Sequence, residues 1–367
     1  LSTVKLPDSL TTIIGGAFQG CSAITEVTIP KGVTYLSDTA FFLCSGLKAF
    51  TVSEDNAEYS SENGVLYDKA KTRLLQCPEI KAGELTLPSS LIEITGFAFD
   101  NCASLTKIIL PPSLRTIGYG AFTGCTSLAF LDLPEGLVTI NDNAFQRCTS
   151  LTNITIPSSV TDLGWSVFED CKNLTEISVA GSGAFSSQDG VLYDQAKTTL
   201  LRCPPKKSGD FILPQGVTEI EQYAFSGCSS ITEITLPESL AVIGRNAFMN
   251  CSSLKSVTIP KSVAQLDSAF FLCKRLEKIV VAKENSNFSS ENGLLYDKRK
   301  TTLLQCPAKK SGTVTLPPSV TAIDSWAFDG CASLTKVILP EGLTEIRSCA
   351  FNGCSALPTI DFPESLA

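Results

Sequence analysis

The sequence predicts a solenoid, a fold in which short, similar coils stack along one axis, and three observations indicate it. A motif returns every 23 residues along the 367-residue chain. The same positions are apolar each time, and a unit of this length is too short to bury its own apolar face without neighbours on both sides. The clearest copies are 105–125, 128–148, 151–171, 231–251 and 334–354.

Each position of the unit has a physical role. In the copy that begins at residue 105, the alternation of Ile108 and Leu110 predicts a short strand with one buried face. Pro111 ends that strand, because proline has no N–H to donate to a ladder. Phe122 and Cys125, from the closing A-F-x-x-C run, are expected in the core beneath the strand.

Counting strand ends gives the number of coils. They are expected at Leu6, Ile29, Val52, Leu87, Leu110, Leu133, Ile156, Val179, Leu213, Leu236, Ile259, Val281, Leu316, Leu339 and Phe362. These 15 strands bound about 14 coils. Because a solenoid grows by stacking, we expect residues 1–367 to form a single domain. Both ends fall within the repeat, which suggests an excerpt of a longer chain.

Three longer coils interrupt the 23-residue period, near 53–88, 180–214 and 282–317. Each contains a turn signal, Asn63-Gly64, Asp189-Gly190 or Asn292-Gly293, followed by V/L-L-Y-D, a polar tip and T-x-L-L. The sequence therefore predicts a β-hairpin inserted into each of these coils.

The joint run I-P-x-x-V-x-x-I-x-x-x-A-F-x-x-C, which spans almost the whole chain, closely resembles the BspA-like leucine-rich repeat. That family is found mainly in bacterial surface proteins and also in some parasitic protists. The resemblance implies a right-handed leucine-rich repeat solenoid of the α/β superhelix type, with a curved parallel β-sheet on its concave side. Short irregular or 3-10 return segments and hairpin-bearing coils are also expected.

The composition argues against several classes of function. With 29 Lys+Arg against 37 Asp+Glu the formal charge is −8, which is not the footprint of a nucleic-acid-binding protein. No apolar run reaches the length of a membrane span. The chain has no histidine, the commonest general base. We therefore predict a non-enzymatic protein with no catalytic, cofactor or metal site.

The 15 cysteines could suggest disulfides or metal clusters, but their placement is periodic. Three of them, Cys77, Cys203 and Cys306, follow the hairpin period. The other periodic cysteines end the repeat unit, at Cys21, Cys44, Cys102, Cys125, Cys148, Cys171, Cys228, Cys251, Cys273, Cys331 and Cys354. Such a column predicts buried reduced thiols, with bridges between neighbouring coils as the alternative. Cys349 follows neither period and is expected at the surface.

A binding surface, if one exists, is expected on the outward face of the strands. Threonine recurs at many outward positions, such as Thr28, Thr51 and Thr155, as suits an exposed strand. Phe130, flanked by Lys107, Ile109 and Asp132, departs from that pattern and is a candidate anchor with a polar rim. The alternative is an ordinary exposed apolar residue.

Two rival patches lie elsewhere. The first is a row of aromatic residues ahead of the Ala-Phe pair, which could instead shield the edge of the core: Phe97, Tyr119, Trp165, Tyr223 and Trp326. The second is a set of basic residues near the hairpins, at positions where lysine often only discourages edge-to-edge pairing: Lys69, Lys71, Arg73, Lys206, Lys207, Lys298, Arg299, Lys300, Lys309 and Lys310.

The resemblance implies a cell-surface or secreted adhesion module that presents its sheet to host or extracellular-matrix proteins, with glycans as further candidate partners. This inference is an analogy at the level of the fold. The alternative is a cytoplasmic scaffold or recognition module built on the same fold.

Overall fold

The computed structural model describes residues 4–366. The chain falls into two compact units, an N-terminal unit (1–190) and a C-terminal unit (191–367). Both are built from the same coil: an outward strand, a tight turn, a strand of two residues and a return segment made of turns. The coils stack with their strands parallel and in register, so the predicted solenoid is confirmed.

The strands of the N-terminal unit are β1 (Thr12–Ile13), β2 (Glu26–Ile29), β3 (Tyr35–Leu36), β4 (Ala49–Val52), β5 (Tyr59–Glu62), β6 (Val65–Asp68), β7 (Arg73–Gln76), β8 (Ala82–Thr86), β9 (Glu93–Ile94), β10 (Ser104–Ile109), β11 (Thr116–Ile117), β12 (Thr139–Ile140), β13 (Asn153–Ile156), β14 (Asp162–Leu163), β15 (Glu176–Val179) and β16 (Phe185–Gln188). The outward strands pair in twos, as β2–β4, β8–β10 and β13–β15, and all three pairs are parallel. The short strands form a second series, in the orders β1-β3 and β14-β12-β11-β9-β7-β6-β5.

The strands of the C-terminal unit are β17 (Val191–Asp194), β18 (Thr199–Arg202), β19 (Ser208–Ile212), β20 (Glu219–Ile220), β21 (Ser230–Thr235), β22 (Val242–Ile243), β23 (Ser256–Ile259), β24 (Gln265–Leu266), β25 (Lys278–Val281), β26 (Phe288–Glu291), β27 (Leu294–Asp297), β28 (Thr302–Gln305), β29 (Ser311–Thr315), β30 (Ala322–Ile323), β31 (Ser333–Ile338) and β32 (Glu345–Ile346). Outward strands pair as β19-β21-β23-β25 and β29-β31. Short strands run from β17 through β18, β20 and β22 to β24, and from β26 through β27, β28 and β30 to β32.

A stack of phenylalanine rings forms the centre of each core. In the N-terminal unit the rings of Phe99, Phe122, Phe145 and Phe168 follow one another with centroids 5.0, 5.3 and 5.7 Å apart and planes within 10° of parallel. Offset stacking at this distance is a favoured aromatic geometry. The phenylalanine of the repeat lies in the core, as its place in the motif predicted, and its ring also stacks on the rings of neighbouring coils.

The return segments contain no helix anywhere in residues 4–366, and no 3-10 helix either. The return segments are therefore irregular, one of the two expected forms, whereas the α/β description of the class does not hold. The cause is backbone geometry: a typical return segment carries two left-handed residues four positions apart, such as Asn143 (φ 57°) and Arg147 (φ 59°). Left-handed residues interrupt the run of right-handed dihedrals that any such helix needs.

The three insertions contain the predicted hairpins, and each insertion is larger than one hairpin. In the first, β5 and β6 pair antiparallel around Asn63 (φ 53°) and Gly64 (φ 79°), the two positive φ angles of a type I′ turn. Strand β6 then pairs antiparallel with β7, which pairs in parallel with β9 of the next coil. The third insertion repeats this pattern from β26 to β30.

The hairpin also provides hydrogen bonds for the outward strand that precedes it. The Phe50 N–H donates to the Gly64 carbonyl at 2.9 Å, and the Val52 N–H donates to the Ser61 hydroxyl oxygen at 3.2 Å. The third insertion repeats both contacts, from Ile279 to the Gly293 carbonyl and from Val281 to the Ser290 hydroxyl. The hairpin turn thus takes the place of a neighbouring strand.

Twelve of the 15 expected outward strands are present. Within residues 4–366, no strand forms at the segments that end at Leu6, Leu133 and Phe362. The gap at Leu133 follows a bulge in β10, where Thr106 is an extra residue opposite Gly83 and Glu84 of β8. The bulge does not by itself account for the gap, because β21 carries the same bulge at Thr232 and still pairs with β23.

Candidate functional site

The four residues predicted to form a binding patch lie together on the outward face of the N-terminal unit. Lys107 and Ile109 belong to β10, and Phe130 and Asp132 lie on the extended segment 128–133 of the next coil. All four are exposed, Phe130 to 60% and Ile109 to 43% of the side chain's full surface. They line one groove of about 250 Å³ together with Thr106, Ile108 and Leu110.

The groove exists because the ladder is interrupted. Segment 128–133 is not paired as a strand with β10 or with β13. Across the residues that the structure describes, one backbone hydrogen bond links this segment to a neighbouring outward strand segment, from the Thr152 N–H to the Ala129 carbonyl at 3.3 Å. The edge of β10 that faces Phe130 therefore lacks a partner strand.

A second groove opens on the other side of Phe130. It has a volume of about 130 Å³, and its lining includes Asp132, Glu135, Asn153 and Thr155. Phe130 lines both grooves and so forms a ridge between them. Sequence reasoning missed Glu135, Asn153 and the ladder gap. Gly83 (φ 79°) marks the bulge but does not signal the gap, because Gly209 (φ 78°) faces the equivalent bulge of β21, which pairs with β23.

The site is acidic. Lys107 Nζ lies 3.6 Å from Glu84 Oε2, so its charge is largely matched within the sheet. Asp132 and Glu135 are exposed, and neither forms a hydrogen bond or ion pair with any residue in the described range 4–366. The net charge beside Phe130 is therefore negative.

The rival aromatic row is present in part. Its members occupy two adjacent positions of the repeat ahead of the Ala-Phe pair, instead of the single position expected. Phe97, Tyr223 and Trp326 directly precede the alanine of the motif and have φ angles of 59°, 58° and 61°. Tyr119 and Trp165 lie one residue earlier.

Ring contacts show what part of this row does. The Phe97 ring lies 5.1 Å from Phe42, in the coil before the first insertion, and 5.1 Å from Tyr119 in the following coil. The Tyr119 hydroxyl oxygen accepts a hydrogen bond of 3.1 Å from Asn143 Nδ2. These rings link neighbouring coils, which supports the interpretation that they cover the core.

Many of the basic residues near the hairpins are already engaged within the fold. In the first insertion, Lys69 Nζ donates to the Asn56 carbonyl, Lys71 pairs with Glu62, and Arg73 pairs with Glu93. In the third, Lys298 donates to the Asn285 carbonyl, Lys300 pairs with Glu291, and Lys310 donates to the Asn292 carbonyl. Six of the ten predicted residues therefore hold the insertions together, which weakens this patch as a binding site.

Twelve cysteines of the predicted column are buried, and its two outermost members, Cys21 and Cys354, are half-buried. The Cys125 and Cys148 thiols donate to the carbonyls of Phe99 and Phe122 in the preceding coil, at 3.2 and 3.1 Å. Burial raises the pKa of both thiols and raises that of Cys273 to about 12. A thiol with so high a pKa is a poor nucleophile. Cys349 is exposed.

Within residues 4–366, cysteine, aspartate and glutamate side chains do not form any group of three or more that could hold a metal ion. No helix in the same range has the length and apolar character needed to cross a membrane.

Comparison with known proteins identifies the repeat. The model of the BspA type leucine-rich repeat region, in six copies, matches residues 1–66, 75–189, 206–294 and 305–367. No match was found among curated protein sequences.

Solved structures share the fold. A leucine-rich repeat protein from Eubacterium ventriosum is 23% identical, with a TM-score of 0.64 over 84% of this chain and 90% of that one. A leucine-rich cell surface protein from Faecalibacterium prausnitzii is 25% identical, with a TM-score of 0.57 over 96% of this chain and 83% of that one. With most of its length matched by the family model, the chain belongs to the BspA-type leucine-rich repeat family.

Proposed function

We propose that this chain is a non-enzymatic protein-binding module of a bacterial cell surface, and that it binds a host or extracellular-matrix protein through the outward face around Phe130. Membership of the repeat family supports a protein-interaction module. Its similarity to a Faecalibacterium prausnitzii cell surface protein supports the location.

The exposed Phe130 ridge between two grooves is the observation that carries this proposal. Binding energy at protein interfaces concentrates in a few residues, often aromatic, that are surrounded by polar residues which exclude water. Phe130 has such surroundings in Lys107, Asp132 and Asn153. The grooves are smaller than the roughly 300–1,000 Å³ of small-molecule sites, which favours a macromolecular partner.

Binding of the chain to immobilised extracellular-matrix proteins and glycans at physiological salt tests the proposal. We expect saturable binding to at least one protein, weakened about tenfold or more by Phe130→Arg, the loss of about 1.4 kcal/mol or more that a central aromatic anchor carries. Ile212→Arg is the matched control, since Ile212 is an exposed apolar residue on an outward strand of the C-terminal unit. Its binding should equal that of the unmodified chain.

Two results would count against the proposal. Equal loss of binding in both variants would show that Phe130 is not a specific anchor. Failure to bind any member of the panel would favour the intracellular scaffold interpretation over adhesion.

A further inference from the structure

We infer that the groove beside Phe130 receives one apolar side chain of an extended, positively charged segment of the partner protein. This inference rests on the proposed function and specifies the chemistry of the partner. Its three steps concern the shape of the groove, the free strand edge and the local charge.

The shape of the groove suits an extended chain. One wall consists of the consecutive residues 106–110, and Phe130 and Asp132 stand opposite. Five consecutive strand residues span about 13 Å, the length of a few residues in an extended peptide. The volume of about 250 Å³ is small, which suits one inserted side chain better than a folded element.

The free edge of β10 adds main-chain recognition. This edge has no partner strand within residues 4–366, since segment 128–133 is not paired with β10. Unpaired backbone groups at a sheet edge are a template for another extended segment, and peptide recognition often uses them while side-chain pockets supply specificity. An extended segment in the groove lies beside that edge.

The negative charge beside the groove favours a positively charged segment. The Lys107 charge is matched by Glu84, whereas Asp132 and Glu135 have no cationic partner in the described part of the chain. Complementary charge speeds encounter and suppresses wrong partners. A segment with lysine or arginine next to its apolar residue would place positive charge beside Asp132 and Glu135, whereas an acidic segment would face like charges.

Selection of short random peptides displayed on phage against the whole chain tests this inference. We expect enriched peptides to combine one aromatic or large aliphatic residue with adjacent lysine or arginine. Their affinity, measured by fluorescence anisotropy with synthetic peptides, should fall about tenfold or more for Phe130→Ser. Raising the salt concentration should weaken binding, because the charges are exposed.

A charge-reversal variant gives the sharper result. The double variant Asp132→Lys, Glu135→Lys should lose the basic peptides and select acidic ones, whereas Glu233→Lys, on outward strand β21 of the C-terminal unit, should behave as the unmodified chain. The inference is overturned if the enriched peptides carry no excess of basic residues. It is also overturned if the unmodified chain enriches no peptides beyond those that the Phe130→Ser variant enriches. If matrix-protein binding still depends on Phe130 in that case, the proposed function survives without it.

Discussion

At the scale of single residues, Arg202 of the C-terminal unit is a buried charged side chain with unsatisfied hydrogen-bond donors. It is buried, its Nη1 donates to the Tyr223 carbonyl, and its Nε and Nη2 have no partner among the described residues. The equivalent residues of the other insertions are Gln76 and Gln305, whose neutral amides donate to the carbonyls of Phe41 and Cys306.

Arg202→Gln should therefore stabilise the chain. The substitution removes a buried guanidinium with unpaired donors, and such groups cost roughly 1–3 kcal/mol, more when charged. The urea midpoint should rise, and Gln305→Arg, which creates the same conflict in the third insertion, should lower it. A fall in the urea midpoint for Arg202→Gln would show that the favourable interactions of the arginine outweigh the destabilisation from its unpaired nitrogens.

Glu221 links stability to pH. Burial, and then repulsion by Glu219, raise its pKa from 4.5 to about 7, against the opposing attraction of Arg202. A carboxyl whose pKa is higher in the folded state favours folding below its unfolded pKa, and this contribution is lost as the pH rises through about 7. Glu221→Gln should thus raise the melting temperature above neutral pH and leave it unchanged in acid. An equal increase at every pH would indicate a packing effect instead.

The cysteine column predicts a specific pattern of thiol labelling. Cys349 is exposed, Cys21 and Cys354 are half-buried, and the other 12 cysteines are buried. Only thiolates react readily, and burial raises the pKa of the Cys354 thiol to about 12. The native chain should react rapidly with a thiol reagent at one site, which Cys349→Ser should remove, while the denatured chain should react at 15. Several rapid sites in the native chain would contradict the buried column.

At the scale of elements, the first and third insertions each depend on a buried asparagine. Asn285 Nδ2 donates to the carbonyls of Pro260 and Val263 at 2.8 and 2.9 Å, and its Oδ1 accepts from the N–H groups of Asn287 and Phe288 at 2.8 Å each. This one side chain therefore fixes the entry of the third insertion onto the preceding coil, as Asn56 does in the first.

Asn285→Ala should destabilise the chain by about 2–3 kcal/mol, because it leaves several buried backbone groups without partners. Asn287→Ala is the matched control: this residue is exposed, and within residues 4–366 its side-chain amide hydrogen-bonds only to the Ser286 hydroxyl. Chemical denaturation of both variants measures the difference. Similar midpoints for the two variants would show that water replaces the lost contacts at Asn285.

The sequence could predict what is periodic or local, but not what depends on distant strands. The Phe122 and Cys125 positions recur in every regular copy, and Asn63-Gly64 is a turn signal by itself, so each was predicted correctly. The ladder gap at Phe130 was not predicted, because Phe130 itself is compatible with a strand and the equivalent segment after the bulged strand β21 does pair. The left-handed return segments were missed because residues such as Phe97 and Arg147, which rarely adopt that conformation, do so here.

At the scale of the whole molecule, stability within each unit is expected to behave as a sum over neighbouring coils. In solenoids each repeat contacts mainly the repeats beside it, so stability approximates a series of repeat and interface terms. In the N-terminal unit, the ring contacts from Phe99 to Phe168 are interactions between coils of the kind that the interface terms describe.

Phe122→Ala tests this view, since Phe122 is fully buried between the rings of Phe99 and Phe145. The loss should be about 3–5 kcal/mol, the usual cost of truncating a core phenylalanine. Hydrogen exchange followed by mass spectrometry should show the largest loss of protection in the coils that carry these three rings, with smaller losses further along the stack. Phe130→Ala, which truncates an exposed ring one coil away, should leave exchange unchanged outside its own coil. Equal loss throughout the N-terminal unit after Phe122→Ala would instead show that its coils unfold as one cooperative block, because neighbour-by-neighbour coupling requires the effect to decay with distance.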